Sequence, residues 1–237
     1  LSKKHIIISP NKKPNLNAIK SLLPILLIIF AGILLVSLFS NLDKTTDEEF
    51  VLHGITTESA PNGIIYHSIG VNGADVPAFL ECELLEKQLT LLNPDLVILG
   101  LGINDAYRRR FSQEKFEANY TDLIERIRKA APETAVIFIT NNDSYLYRRY
   151  VNRNGEKVRE SMFRLAEELN AGVWDMFSLM GGLNSVVLWE QNRLAKHDKV
   201  HFTREGYLLL GDLFFNALAR DFEDYLQTNN ELTQRIK

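Results

Sequence analysis

Asp198 and His201 lie three residues apart in the loop sequence Asp198-Lys199-Val200-His201. At that spacing a carboxylate can hold one imidazole nitrogen and leave the other free to act as a general base. Thr203 reads as the N-cap of the helix that follows, with Glu205 in its first turn, and such a cap fixes the backbone carrying both groups. Two further loops supply hydrogen-bond donors. Gly73, in Gly70-Val71-Asn72-Gly73-Ala74, can present its backbone N–H with no side chain in the way, and Asn104, in Gly102-Ile103-Asn104-Asp105, can add a side-chain N–H. Donors aimed together at one oxygen form an oxyanion hole, worth about 3–4 kcal/mol per donor in acyl transfer. Asn72, Asp105 and Asn141 sit in the same set of loops and are candidates to line the site, Asp105 by hydrogen bonding to backbone groups. Taken singly each feature has a structural explanation, because glycines follow strands, Asn and Asp make turns, and a lone loop histidine is usually surface. Their combination and order argue for chemistry.

The elements that must position these loops alternate in type. Residues 64–69 form a β-type run closed by Gly70, and residues 79–92 have helical spacing before the Asn93-Pro94 breaker. Residues 95–101 read as a continuous apolar strand, of the kind buried on both faces in a parallel sheet. Residues 114–131 place Phe116, Tyr120, Leu123, Ile124 and Ile127 on one helical face, with Pro132 as the stop. A strand at 135–139, a helix at 156–169, a short strand at 172–175 and a last helix at 204–225 complete the series. This alternation predicts right-handed βαβ units and an α/β fold whose parallel sheet is covered on both faces. Ligands in such sheets sit beyond the carboxyl ends of the strands, so the loops after Ile69, Leu101, Ile139 and Asp175 are where chemistry belongs.

With these loops in this order, the sequence resembles the SGNH or GDSL hydrolases, serine esterases and lipases on a three-layer α/β/α flavodoxin-like fold. Gly73 matches that family's glycine block, Gly102-Ile103-Asn104-Asp105 its Gly-x-Asn-Asp block and Asp198-Lys199-Val200-His201 its Asp-x-x-His block. The resemblance covers roughly residues 53–225. It implies that His201 and Asp198 are catalytic, that Gly73 and Asn104 form the oxyanion hole, and that no cofactor takes part. The stretches Leu52-His53-Gly54-Ile55 and 63–73, with Trp174-Asp175-Met176-Phe177, Gly181-Gly182 and Trp189, look closest to bacterial members in which an inserted domain separates the serine block from the glycine block. That branch implies an envelope esterase acting, by a Ser/His/Asp mechanism, on small acyl esters or on acyl esters, O-acetyl among them, of carbohydrate, peptidoglycan or lipid.

The family's nucleophile block is absent: neither Gly-Asp-Ser nor Gly-x-Ser-x-Gly occurs. Ser59 falls in a loop and Ser68 inside the first strand run, where neither makes a nucleophile elbow. The chain begins at Leu1, and a serine upstream of it would lie across the membrane from His201 if residues 22–40 span. Four readings follow: a partner chain carries the serine block, the fold is a non-catalytic binding or scaffold domain, the apolar segment does not span, or the sequence joins separate pieces.

Charge separates the chain into two parts. Residues 1–42 hold five lysines and no acid, which leaves −8 on residues 43–237 out of a net −3. Residues 22–39 carry no charge, and a run of about 18 apolar residues is long enough for a transmembrane helix. The basic flank predicts a cytoplasmic segment at 1–21, a single membrane span at 22–40, a linker at 41–50 and an exported hydrolase-like domain at 51–237, set by the resemblance in a bacterial inner membrane. The acidic balance speaks against nucleic acid as a partner. The five histidines lack the paired spacing of a zinc site, so no metal is expected. The single Cys82 leaves the exported domain without an internal disulfide. Arg108-Arg109-Arg110 reads either as contacts for an anionic substrate or as a charged approach to a helix.

Overall fold

The computed structural model describes residues 63–108 and 110–229. The chain divides into two units, residues 1–65 and 66–237. The expected span at 22–40 and its flanks at 1–21 and 41–50 lie outside the described residues, among which no helix is long and apolar enough to cross a membrane.

Asp75 starts the helical structure. Its side chain accepts from Ala78 N–H at 3.2 Å, and Pro77 occupies the first turn, where its missing N–H costs nothing. The helix expected at 79–92 therefore begins earlier, as α1 (Val76–Leu80), and resumes as α2 (Leu85–Leu92) after a break at 81–84. Arg126 stabilises the break. It donates to Leu80 O at 2.5 Å and Cys82 O at 2.8 Å and pairs with Glu86 at 2.6 Å, satisfying carbonyls released where the helix stops.

The chain continues through β1 (Leu96–Leu99), α3 (Ile103–Ala106), α4 (Gln113–Ala130), β2 (Ala135–Ile139), a hairpin of β3 (Tyr145–Leu146) and β4 (Tyr150–Val151), and α5 (Asn154–Glu168). It ends with β5 (Gly172–Trp174), α6 (Met176–Met180), α7 (Val186–Gln191) and α8 (Arg204–Thr228). Helix α4 is capped by Ser112, whose hydroxyl accepts from Lys115 N–H at 3.2 Å, and ends with Arg128 and Lys129 in its last turn, where cations complement the helix dipole. Strands β1, β2 and β5 form a parallel sheet in the order β1-β2-β5, with Leu99 opposite Phe138 and Ile139 opposite Trp174.

The register decides which side chains share a face. Val97, Leu99, Val136, Phe138 and Val173 point into the main core with Phe116, Tyr120, Leu123 and Ile124 of α4 and Val158, Met162 and Leu165 of α5. Tyr120 links Phe116 and Phe138 through ring contacts of 5.1 Å on each side. Burying such side chains contributes about 1.5–3 kcal/mol each, enough to hold the sheet to its helices.

Among the described residues the opposite face is less covered than expected. There Leu96 and Ile98 are 39% and 37% exposed, Ala135 is exposed and Ile137 is half-buried. Helix α8 meets this face at one end, where Phe214 packs on Trp174 with ring centroids 5.0 Å apart. Only Gly206 and Leu210 of α8 are buried, while Leu208, Phe215 and Phe222 form an exposed stripe at seven-residue spacing. Among the described residues the parallel sheet thus has one complete helical layer, with α8 on its other face at one end.

The strand expected at 64–69 is also corrected. The segment pairs with nothing among the described residues, and Ile64 is 94% and Tyr66 80% exposed. Alternating apolar side chains make a strand only when another backbone accepts the hydrogen bonds, and none does so among the described residues.

Candidate active site

The Asp198–His201 loop is tied at its root. Thr203 N–H donates to Leu194 O at 2.9 Å, and Thr203 Oγ1 caps α8 by accepting from Gly206 N–H at 3.2 Å. A Cβ on Gly206 would lie 2.0 Å from Leu194 O, so only glycine allows this approach. Lys196 N–H donates to His201 O at 2.7 Å and closes the loop.

Within it, Asp198 Oδ1 accepts from the N–H groups of Val200 and His201, each at 2.9 Å, and Oδ2 lies 2.9 Å from His201 Nδ1. Partial burial pushes the Asp198 carboxyl up, but the His201 and Val200 bonds outweigh it and hold the group below the usual carboxylate range. With Nδ1–H engaged, Nε2 is left to take a proton, and the ring is 54% exposed. Beside the pair, Glu190 contacts His197 Nδ1 at 2.5 Å and Lys199 Nζ at 3.1 Å.

The other two loops are stitched to each other. Gly73 lies in a turn at φ +78, and its N–H has no partner among the described residues. Asn104 follows Gly102, whose φ of +134 turns the chain from β1 into α3, and donates through Nδ2 to Ala74 O at 2.8 Å. One amide N–H of Asn104 is therefore spent on its neighbour and one remains. Asp105 is 7% exposed, and both its carboxyl oxygens receive Val76 N–H at 3.3 Å. Burial, then the nearby Asp75 carboxylate, raise its pKa from 3.8 to about 6 against the lowering effect of the Val76 bond. Asn72 is exposed beside Gly73.

No bond joins the Gly73–Asn104 pair directly to Asp198–His201 among the described residues; residues 140–154 connect them. Asn142 Nδ2 donates to Val200 O at 2.9 Å and Tyr145 N–H to Lys199 O at 3.0 Å, while Tyr147 N–H donates to Tyr107 Oη at 2.9 Å. Asn154 Nδ2 reaches Ala106 O at 3.1 Å and Arg108 O at 2.9 Å. Asn141 is buried, donates to Asn142 O at 3.0 Å, and its Oδ1 has no partner among the described residues. Thr140, at the end of β2, accepts from Phe177 N–H at 2.9 Å and donates to Asp175 Oδ1 at 3.1 Å; Arg159 holds the other oxygen of Asp175 at 2.6 Å. Sequence reading singled out Asn141 in the loop after Ile139 but missed Thr140, Asn154 and Arg159. The position of Thr140 at a strand's carboxyl end was the available signal.

Hairpin β3–β4 turns tightly at its tip. Arg149 N–H donates to Leu146 O at 3.1 Å, and the central residues Tyr147 and Arg148 have φ of +54 and +62. Such turns normally carry Asn-Gly, and a bulky L-residue there costs about 1–2 kcal/mol. Among the described residues no group of three or more His, Cys, Asp or Glu side chains is placed to hold a metal ion.

The described residues therefore define a parallel α/β domain with its polar loops interlocked around the carboxyl ends of the strands. The chain belongs to the GDSL-like lipase/acylhydrolase family, whose pattern matches residues 55–209. Among solved structures it resembles a peptidoglycan O-acetylesterase, at 23% identity and a TM-score of 0.63, over 66% of this chain and 46% of the other. It thus spans less than half the length of that protein. A lipase/acylhydrolase from Enterococcus faecalis matches at 24% identity and a TM-score of 0.49, over 62% of this chain and 71% of the other. No curated protein matches the sequence.

Proposed function

We propose that this domain hydrolyses acyl esters, with His201 as general base and then acid, Asp198 orienting it, and Gly73 N–H and the free Asn104 amide N–H binding the oxyanion. The observation that carries this is the Asp198–His201 pair at 2.9 Å, with Nε2 unengaged, in a loop bonded to the strand-end loops. A serine hydroxyl gives its proton to Nε2 as it attacks the ester carbonyl. The tetrahedral intermediate collapses, the alcohol leaves with that proton, and water repeats the sequence to release the acid. General acid–base catalysis is worth about 10²–10⁴-fold. His201→Ala should lose at least a hundredfold in hydrolysis of p-nitrophenyl acetate, and equal rates in the two proteins would sink the assignment. Absence of hydrolysis in both favours a binding or scaffold domain.

A second reading concerns the nucleophile. The outer side of β1 has no strand partner among the described residues, and one sheet face is open at Leu96 and Ile98. This supports an additional parallel strand at β1, delivering a serine at the same end as His201 from another segment or a partner chain. Fluorophosphonate labelling locates the nucleophile; modification of Ser59 or Ser68 would rule this reading out.

A further inference from the structure

The tip of hairpin β3–β4 has an unusual surface for an acidic domain. Residues 43–237 carry −8, yet Arg148 and Arg149 lie adjacent and exposed, and neither side chain has a hydrogen-bond or ion-pair partner among the described residues. Elsewhere in the domain Arg108, Arg126, Arg159 and Arg164 hold carboxylates. Flanking the free pair are Tyr147 and Tyr150, 59% and 64% exposed. The tip is braced: Tyr107 Oη accepts from Tyr147 N–H at 2.9 Å, and the two rings meet edge-on at 6.1 Å. Its base is bonded to the His201 loop through Tyr145 N–H and Lys199 O at 3.0 Å.

We propose that Tyr107, Tyr147, Arg148, Arg149 and Tyr150 form a docking surface for a carboxylated saccharide chain, on a hairpin whose base is bonded to the His201 loop. Guanidinium groups bind carboxylates through paired parallel N–H bonds, and they lose less hydration than ammonium groups in doing so. Tyrosine offers a broad, stiff apolar face and a polar tip, which suits a sugar ring with one apolar side and hydroxyl edges. An acidic peptide would engage the two guanidinium groups alone, whereas the tyrosine faces beside them add a surface that suits sugar rings. The proposal deepens the esterase reading by naming its substrate class and rests on that reading for the role of His201; the binding surface itself is tested apart from hydrolysis.

The experiment titrates the full chain with oligogalacturonate, with an uncharged maltooligosaccharide of the same length, with duplex DNA and with phosphatidylglycerol vesicles. Oligogalacturonate should bind, weaken as salt screens the charges, and lose at least tenfold in affinity in both the Arg148→Gln/Arg149→Gln double variant and Tyr150→Ala. The uncharged sugar should bind at least tenfold more weakly. The Arg148→Lys/Arg149→Lys variant should recover part of the loss, since it restores charge without the fork. Hydrolysis of p-nitrophenyl acetate should be unchanged in all of these variants, so failure of the esterase reading and failure of the docking surface register in different assays. Oligogalacturonate binding that is absent, or indifferent to the variants while circular dichroism shows them folded, overturns the proposal. Tighter binding of DNA or vesicles overturns it as well.

Discussion

Replacing Asp105 by Asn removes the buried carboxyl that ties the Asn104 loop to α1. Its folded-state pKa is raised from 3.8 to about 6, chiefly by burial. The folded protein therefore holds the proton more tightly than the unfolded chain. The stabilisation is complete below pH 3.8 and is lost as pH rises through about 6. A gap of about two pH units corresponds to about 3 kcal/mol at the acid limit and about 2 kcal/mol by pH 4. Asp105→Asn cannot titrate, although its Oδ1 still accepts from Val76 N–H. Urea unfolding of wild type and Asp105→Asn at several pH values between 4 and 7 should thus show a stability difference that moves by about 2 kcal/mol in favour of wild type as pH falls. Asp143, also pushed up by burial, contributes to both proteins and cancels in the comparison. Stability curves that stay parallel across the range would refute the assignment of a buried, charge-averse carboxyl at this position.

Gly102→Ala should destabilise the fold by about 2–5 kcal/mol in the same unfolding assay, because its φ of +134 is strained for any side chain and the new Cβ would lie 2.8 Å from Val158 Cγ1. Thr140→Val keeps shape but removes the hydroxyl that accepts from Phe177 N–H and bonds Asp175, leaving a buried N–H without a partner. It should cost about 1–3 kcal/mol, and a melting temperature equal to wild type would contradict that role.

The elements easiest to read in the sequence were those that carry their own evidence. Helix α4 announces itself through its apolar stripe and Pro132, and β2 through an unbroken apolar run, so both appear within a residue of expectation. Residues 64–69 show the limit. Their pattern is that of a strand, but pairing is a relation to another segment and no pattern within one segment can supply it. The split between α1 and α2 depends on Arg126, more than forty residues downstream of Leu80. The hairpin was illegible for a different reason: Tyr147 and Arg148 occupy a turn whose usual residues are Asn and Gly. In the site, the Asp198–His201 pair is local and visible from its spacing, whereas the Asp105 contact joins residues 29 apart and emerges only from the fold.

Hairpin β3–β4 is fastened at its base by main-chain bonds, Tyr145 N–H to Lys199 O at 3.0 Å and Asn152 N–H to Ser144 O at 2.9 Å. Backbone fastenings do not depend on which side chains the tip carries. A lineage can exchange Tyr147, Arg148 and Arg149 for other residues, or lengthen the turn, while the sheet and the Asp198–His201 loop keep their places. In this domain the exposed tip can diversify quickly and the Asp198–His201 loop slowly, although the hydrogen bond from Tyr145 N–H to Lys199 O joins the two.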